Sequence, residues 1–591
     1  TFMKSLLKYI KDYKKESILA PLFKMLEASF ELMVPLVMAS IIDRGIAYND
    51  TAQIIKMGLV LVLLAAVGLV SAVTAQYFSA KAAVGFATKL RSALFAHIQS
   101  LSYTELDTIG TSTLITRMTS DVNQLQNGVN LTLRLLLRSP FIVFGAMIMA
   151  FTVDVKAALI FVVAIPLLSI VVFGIMIASI PLYKKVQAAL DKILGRTREN
   201  LAGARVIRAF CNEEAETADF EQENELLLNT QVFVGKISAA MNPVTYIIIN
   251  IALVVLLWTG AVRVDNGIIT QGAVVALVNY MSQILVELVK LANLIIQLTK
   301  ALACAKRVEG IFAITSSMED GKLNANAFSS ENDIGVINGA DGSPAIAYDH
   351  VSLTYSGGGD ESLTDINFTV KRGETVGIIG GTGSGKSSLV NMIPRFYDAT
   401  VGTVRVDGRD VKTYGMEELR EKIGIVLQKA VLFRGTIRDN LLWGNGSATD
   451  EELWEALRLA QAKDFVETKE GRLDAPVAQE GRNLSGGQRQ RLTIARALVA
   501  KPEILILDDS ASALDYATDA ALRSALRELT GETTVFIVSQ RASSIQHADQ
   551  IIVLEDGEMA GCGTHEELLA DCEVYQEIYY SQFEQKNAVQ T

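Results

Sequence analysis

Apolar and polar positions divide the chain into two regions of different kind. The first half carries long apolar runs at 18–42, 54–78, 133–151, 157–180, 243–264 and 273–298. Each is near the roughly 20 residues that cross a bilayer as a helix. They predict six membrane-spanning helices in an all-α transmembrane domain over 17–312, with kinks expected at Pro35 and Pro243. Stretches 79–132 and 181–242 have no apolar run but keep helical spacing, with Lys89, Arg91 and His97 on the first and Lys184, Lys185, Lys192 and Arg196 on the second. Helices that run well past the membrane and turn back account for both. From about Met318 to Ser343 the sequence is polar and rich in Asn, Asp, Ser and Gly, so 313–344 reads as a linker. Beyond Ala345, short Val/Ile/Leu strands alternate with helical patterns, which predicts an α/β domain over 345–591.

Charge sets the orientation. Lys4, Lys8, Lys11, Lys14 and Lys15 precede the first span, and the two long inter-span stretches are basic, whereas the short loops carry only Arg44, Lys56, Lys156 and Arg263. By the positive-inside rule the N-terminus, both long stretches and the α/β domain are cytoplasmic. Residues 1–16 are lysine-rich and amphipathic with no small-residue cleavage site after them, so they read as an elbow helix on the membrane surface rather than a signal peptide. The 591 residues are 50% hydrophobic and 20% charged, with mean hydropathy +0.30, as expected of one membrane part joined to one soluble part. A net charge of −11 argues against nucleic acid as a partner. Cys211, Cys304, Cys562 and Cys572 show no metal-ligand spacing and fall in cytoplasmic segments, where thiols stay reduced.

The α/β half carries the chemistry. Gly380-Gly381-Thr382-Gly383-Ser384-Gly385-Lys386-Ser387 fits a phosphate loop, and a strand pattern precedes it while a helical one continues from Ser388. Glycines there let backbone N–H groups close on phosphate oxygens at a helix N-terminus. Lys386 brings a charge to the β/γ-phosphates, and Ser387 offers a hydroxyl to Mg²⁺. Ile504-Leu505-Ile506-Leu507-Asp508 is an apolar strand that delivers a carboxylate to the metal edge of the same site.

Leu484-Ser485-Gly486-Gly487-Gln488, with a helical pattern at once after it, resembles the signature of the ABC transporter family. The resemblance spans the whole chain and implies a half-size exporter, with a transmembrane domain fused to a P-loop ABC ATPase domain. It also implies ATP and Mg²⁺ as ligands. In the family, Ser485, Gly486, Gly487 and Gln488 would complete the ATP site of the opposite subunit. Tyr355 matches the aromatic that stacks on adenine, Gln428 the glutamine that links Mg²⁺ to the membrane domain, and Asp515 the loop that crosses to the other ATPase domain. Ser388 joins Gly380, Thr382, Gly383, Ser384, Gly385, Lys386 and Ser387 around the nucleotide; Ser387, Gln428 and Asp508 are the metal residues. Segments 102–109 and 200–210 resemble the family's coupling helices.

Two residues depart from the family pattern. Asp509 stands where a glutamate polarises the attacking water, and Gln540 where the switch histidine is expected; no other histidine is near. Asp is one methylene shorter than Glu, and a misplacement of about 1 Å costs roughly 10²-fold in rate. Gln540 can donate a hydrogen bond but cannot carry imidazolium charge. With Lys386 these form the expected catalytic set, and both departures weaken one step. The expectation is a degenerate ATP site in a heterodimer with a second ABC half-transporter, to which this chain lends an intact signature.

Polar residues also stripe the spans: Lys24, Glu27 and Glu31 on span one, Asn279, Gln283 and Glu287 on span six. Two readings stand. Glu27, Glu31, Asn279, Gln283 and Glu287 line a substrate cavity, or they pair structurally with Arg134, Arg138 or Lys290. The expected function is ATP-driven export of amphipathic, drug-like or lipid-like small molecules across a bacterial cell membrane by alternating access. The alternatives are a homodimeric lipid or peptide exporter and an ATP-gated channel or regulator.

Overall fold

The computed structural model describes residues 6, 8–321, 344–355, 361–510, 512–529 and 531–583. Phe2, Lys4 and most of the 313–344 linker lie outside the described residues. The chain forms two compact units, Thr1–Gln99 with Ser112–Ile314 and Ser100–Thr111 with Thr315–Thr591.

The first unit contains six helical stretches long and apolar enough to cross a membrane: Lys8–Ile46, Thr51–Gln99, Thr111–Val153, Val155–Ala202, Glu213–Asp265 and Gln271–Phe312. The second and fourth exceed the thickness of a bilayer by about half their length. Small residues let the spans approach closely. A Cβ on Gly128 would lie 2.4 Å from the Ala301 methyl, and one on Gly145 would lie 2.5 Å from Leu32. At the N-terminus a 3₁₀ turn, Lys8–Tyr13, leads into the first span. Lys89 pairs with Asp12 in the turn, and Lys81 with Glu16 just beyond it (3.0 Å). The Tyr13 ring fills the space where a Cβ of Gly85 would be. Pro35 lies inside the helix Lys14–Ser40, which continues as a π-turn, Ile41–Ile46. Pro243 falls in the first turn of Met241–Asp265, after the break at Ala240. Ala240 keeps helical angles (φ −66°, ψ −20°), so Glu213–Asp265 runs on as one stretch whose hydrogen-bond ladder is interrupted just before the proline.

An ion cluster ties spans one, three and six. Arg138 donates to Glu287 and to Glu31, both at 2.7 Å. Ser139 donates to Glu287 at 2.9 Å and Lys290 to the same carboxylate at 2.8 Å. Glu287 is 2% exposed and Arg138 7%. In addition, Tyr280 donates to the Leu32 carbonyl at 2.7 Å. Near the short loops, Arg263 meets Asp154 at 2.5 Å, and Asp43 accepts from Thr270 Oγ1 (2.5 Å) and the Gly272 N–H (2.7 Å).

In the second unit a sheet of order β12-β11-β3-β10-β9-β6 carries the site. Its strands are β3 (Thr375–Gly380), β6 (Ile423–Val426), β9 (Ile504–Asp508), β10 (Thr534–Val538), β11 (Gln550–Glu555) and β12 (Glu558–Gly563). All neighbours pair in parallel except β11 and β12. β9 is buried throughout, as a central parallel strand must be. A second, antiparallel sheet of order β2-β1-β4-β5 comprises β1 (Ile346–Leu353), β2 (Leu363–Val370), β4 (Val401–Val406) and β5 (Arg409–Asp410). Segment 100–111, which the sequence pattern places within the transmembrane domain, packs with this second unit. In its helix Tyr103–Ile109, the Tyr103 ring lies 4.7 Å from Phe396, and Asp107 accepts from Tyr397 Oη at 2.6 Å.

The ion cluster yields a stability test. Glu287→Gln leaves Arg138 and Lys290 without their shared buried anion and is expected to cost about 3 kcal/mol. Glu31→Gln should cost clearly less, because that side chain is 40% exposed. Thermal unfolding of the detergent-purified variants measures both, and equal midpoints would contradict the assignment.

Candidate nucleotide site

β3, β10 and β9 place the site. In the paired register Val538 lies beside both Ile378 and Asp508, so the loops after these strands leave the sheet at one level. Ligands in open parallel sheets bind at such carboxyl ends. The loop after β3 depends on its glycines. A Cβ at Gly380 would lie 2.1 Å from the Leu554 carbonyl, while Gly383 and Gly385 have φ of +87° and +90°. Lys386 begins the helix Lys386–Met392, which turns its N-terminus toward the loop. Lys386 Nζ donates to the carbonyls of Gly380 (2.9 Å) and Gly381 (2.5 Å) and reaches Ser384 Oγ at 3.3 Å. Burial pulls its ammonium below the ordinary lysine value, with Asp509 and Asp508 opposing.

Ser387 Oγ donates to Asp508 at 3.1 Å. Burial pushes the Asp508 carboxyl above the usual range, against the Ser387 hydrogen bond. A hydroxyl and a carboxylate meeting beside a phosphate loop are the hard oxygen donors that suit Mg²⁺, so the residues present fit that ion. Bound with ATP, Mg²⁺ would offset phosphate charge. Asp509 is held at φ +45°, a conformation Asp tolerates better than most residues, and its N–H donates to the Val538 carbonyl at 3.0 Å. Gln428 Nε2 reaches its carboxylate at 3.4 Å.

One cavity of about 520 Å³ is lined by Thr382, Gly383, Gly385, Lys386, Ser387, Ser388, Gln428, Asp508, Asp509 and Gln540. It brings together most of the residues read from sequence. Tyr355 stands at the edge of this set: its hydroxyl donates to Ser388 at 2.9 Å and its ring meets Tyr397 edge-on at 4.9 Å. The cavity does not include Ser485, Gly486, Gly487, Gln488 or Asp515. Ser485 caps its own helix, Gly486–Val499, in a reciprocal box with Gln488, and Asp515 caps Tyr516–Leu526 by accepting from Thr518. Asp556 and Gly557 also line the cavity, and sequence reasoning missed them. Their Asp-Gly pair at a hairpin turn, with φ of +45° and +86°, was the available signal.

Two family models match the chain: the ABC transporter transmembrane region over residues 17–288 and the ABC transporter model over 363–512. An uncharacterized ABC transporter ATP-binding protein of Mycobacterium tuberculosis is 38% identical over 577 residues, 97% of each chain. The chain belongs to the ABC transporter family. It is similar to an uncharacterized ABC transporter ATP-binding protein of Bacillus subtilis, 34% identical over 98% of this chain and 99% of that one. An ATP-dependent lipid A-core flippase of Desulfotalea psychrophila is 34% identical over 83% of this chain and 84% of its own. A solved structure of a bacterial Atm1-family ABC exporter with ATP bound superposes with a TM-score of 0.77 at 23% identity, covering 99% and 100% of the two chains. The fold is that of an ABC exporter half-transporter: a multi-pass membrane protein with a cytosolic ATPase domain whose hydrolysis of ATP is coupled to transport.

The membrane residues are placed unevenly. Glu287 is buried and its carboxylate accepts from Arg138, Ser139 and Lys290, so it does not line open space in this conformation. Glu27 accepts from Lys24 at 2.5 Å, Asn279 donates to its own helix at Val275, and Gln283 is partly buried. Glu31 keeps the most open carboxylate of the ion cluster.

For the phosphate loop, Lys386→Ala is expected to weaken ATP binding by at least tenfold, because the amide cradle loses its one charge. Photo-crosslinking of labelled ATP to the full chain measures this, and undiminished labelling would overturn the role.

Proposed function

We propose that this chain is the degenerate-site half of a heterodimeric exporter that moves amphipathic, drug-like or lipid-like molecules out of the cytosol. The observation that carries the reading is the composition of one cavity. Lys386, Ser387 and Asp508, the groups that hold MgATP, stand there beside Asp509 and Gln540, which replace the groups that act on the attacking water. Asp509 is drawn toward Gln428 and is a methylene short. Such a site binds nucleotide and turns it over slowly. Ser485 and Gly486 are exposed, which suits a signature surface offered to a partner's site. A homodimer would carry both replacements in each site and have no well-equipped one. The partner subunit is therefore expected to supply the glutamate and histidine.

Lipid A-core flippases among the relatives support the lipid-like end of the substrate class. Pairing with low exposure supports a structural role for Glu287 and Glu27; Glu31 also pairs with Arg138 but its side chain is 40% exposed, so Glu31, Asn279 and Gln283 are the better candidates for substrate contact.

The experiment is ATPase activity of the purified chain alone. Turnover is expected near background, about 10²-fold below an ordinary exporter. The double variant Asp509→Glu with Gln540→His should raise it. Vigorous, substrate-stimulated turnover by the unmodified chain as a homodimer would refute the proposal.

A further inference from the structure

The switch segment that presents Gln540 is held from an unexpected direction. Ser539, at its start, is 2% exposed and donates its N–H to the Ile378 carbonyl of β3 at 3.0 Å. Its far side is held by Gln582, at the end of the helix Glu573–Gln582. The Gln582 side chain uses both ends of its amide: Nε2 donates to the Gln540 carbonyl at 2.7 Å, and Oε1 accepts the Ala542 N–H at 2.9 Å. These two backbone groups flank Arg541. A primary amide that closes on a carbonyl and an N–H two residues apart fixes the peptide planes between them, since neither bond can rotate without breaking the other.

The arm has a rigid base. Tyr575, on the same helix, is fully buried and packs in a cluster with Ile379, Ile551 and Val553, and its hydroxyl bonds His565 at 2.7 Å. Ile379 lies in β3, next to the phosphate loop, so the helix and the loop share one core. The Arg541 guanidinium lies 4.8 Å from the Tyr516 ring, directly after Asp515. A displaced switch would thus also disturb the start of the helix Tyr516–Leu526.

We propose that Gln582 is a positioning residue of the nucleotide site. The helix Glu573–Gln582 fixes the backbone of the switch so that Gln540 keeps its place in the lining of the cavity. Gln582 touches no nucleotide; it acts through Gln540. The inference needs only that this cavity takes ATP, and it holds whichever partner completes the transporter.

Release of the fluorescent analogue mant-ATP with Mg²⁺ from the full chain in nanodiscs tests the proposal, alongside the thermal unfolding midpoint. Gln582→Ala is expected to speed release by about tenfold, the loss of roughly one net hydrogen bond, with the midpoint little changed. Gln582→Glu keeps the acceptor for Ala542 but sets a carboxylate against the Gln540 carbonyl, and should release at least as fast as the alanine variant. Gln576→Ala is the control for a merely structural effect. Gln576 sits on the same helix but donates to the Leu569 carbonyl at 2.9 Å, away from the switch. It should leave release within about twofold of the parent. Parental release by both Gln582 variants, or equal acceleration by Gln576→Ala, would overturn the proposal.

Discussion

Everything the cavity at the phosphate loop offers to a phosphate depends on parallel strands that end at one level. Hydrogen-bond register aligns Ile378, Val538 and Asp508 across β3, β10 and β9. The glycine loop, the switch and the metal carboxylate then leave the sheet side by side, before any bond between their side chains is made. A register slip in one strand would move its functional residue by a whole residue spacing and turn it to the other face. The apolar, fully buried β9 guards against that, because a slipped strand would carry the buried Asp508 carboxylate away from the Ser387 hydroxyl that satisfies it. The same alignment explains the perturbation of Asp508. A carboxylate at the end of a buried strand loses water on most sides, and the Ser387 hydroxyl restores only part of what is lost.

The membrane unit solves the opposite problem. There charge must be cancelled rather than held ready. Arg138 carries two carboxylates, one on span one and one on span six, and Lys290 balances the second. In a medium that solvates ions poorly, such a cluster adds specificity of helix pairing even where its net contribution to stability is small. Small residues at Gly128 and Gly145 bring the backbones close enough for the cluster to close.

Legibility in the sequence is a matter of range. The phosphate loop, the strand ending in Asp508 and the six spans are local patterns, and each appears where its periodicity or spacing put it. The partner of Glu287 was one of three candidate cations, and only the packing of spans three and six, 149 residues apart in the chain, selects Arg138 alongside Lys290. The helix Tyr103–Ile109 was legible only through the resemblance of 102–109 to a coupling helix, which does not give its contacts with Phe396 and Tyr397; the hold of Gln582 on the switch carries no local signal, since a lone amide is unremarkable in isolation.

Separation of the site's parts by strand gives the ABC architecture a freedom that a compact active site lacks. The groups that hold nucleotide come mainly from the loop after β3 and the end of β9. Those proposed to face the attacking water, Asp509 and Gln540, come from the residue beyond β9 and the loop after β10. Lys386 rests on the carbonyls of its own loop, so an arriving phosphate exchanges neutral acceptors for charged ones and gains only the difference. That exchange involves neither Asp509 nor Gln540 directly. Changes at these two positions can therefore alter the hydrolytic step, and the rate at which nucleotide leaves, while Lys386 and its loop stay intact. The hydrogen bond from Asp509 N–H to Val538 and the hold on the Gln540 backbone keep both loops ordered, so a change of side chain there need not disturb the fold. On the proposed reading, a chain built this way keeps ATP as a structural ligand of a dimer and leaves its turnover to another subunit.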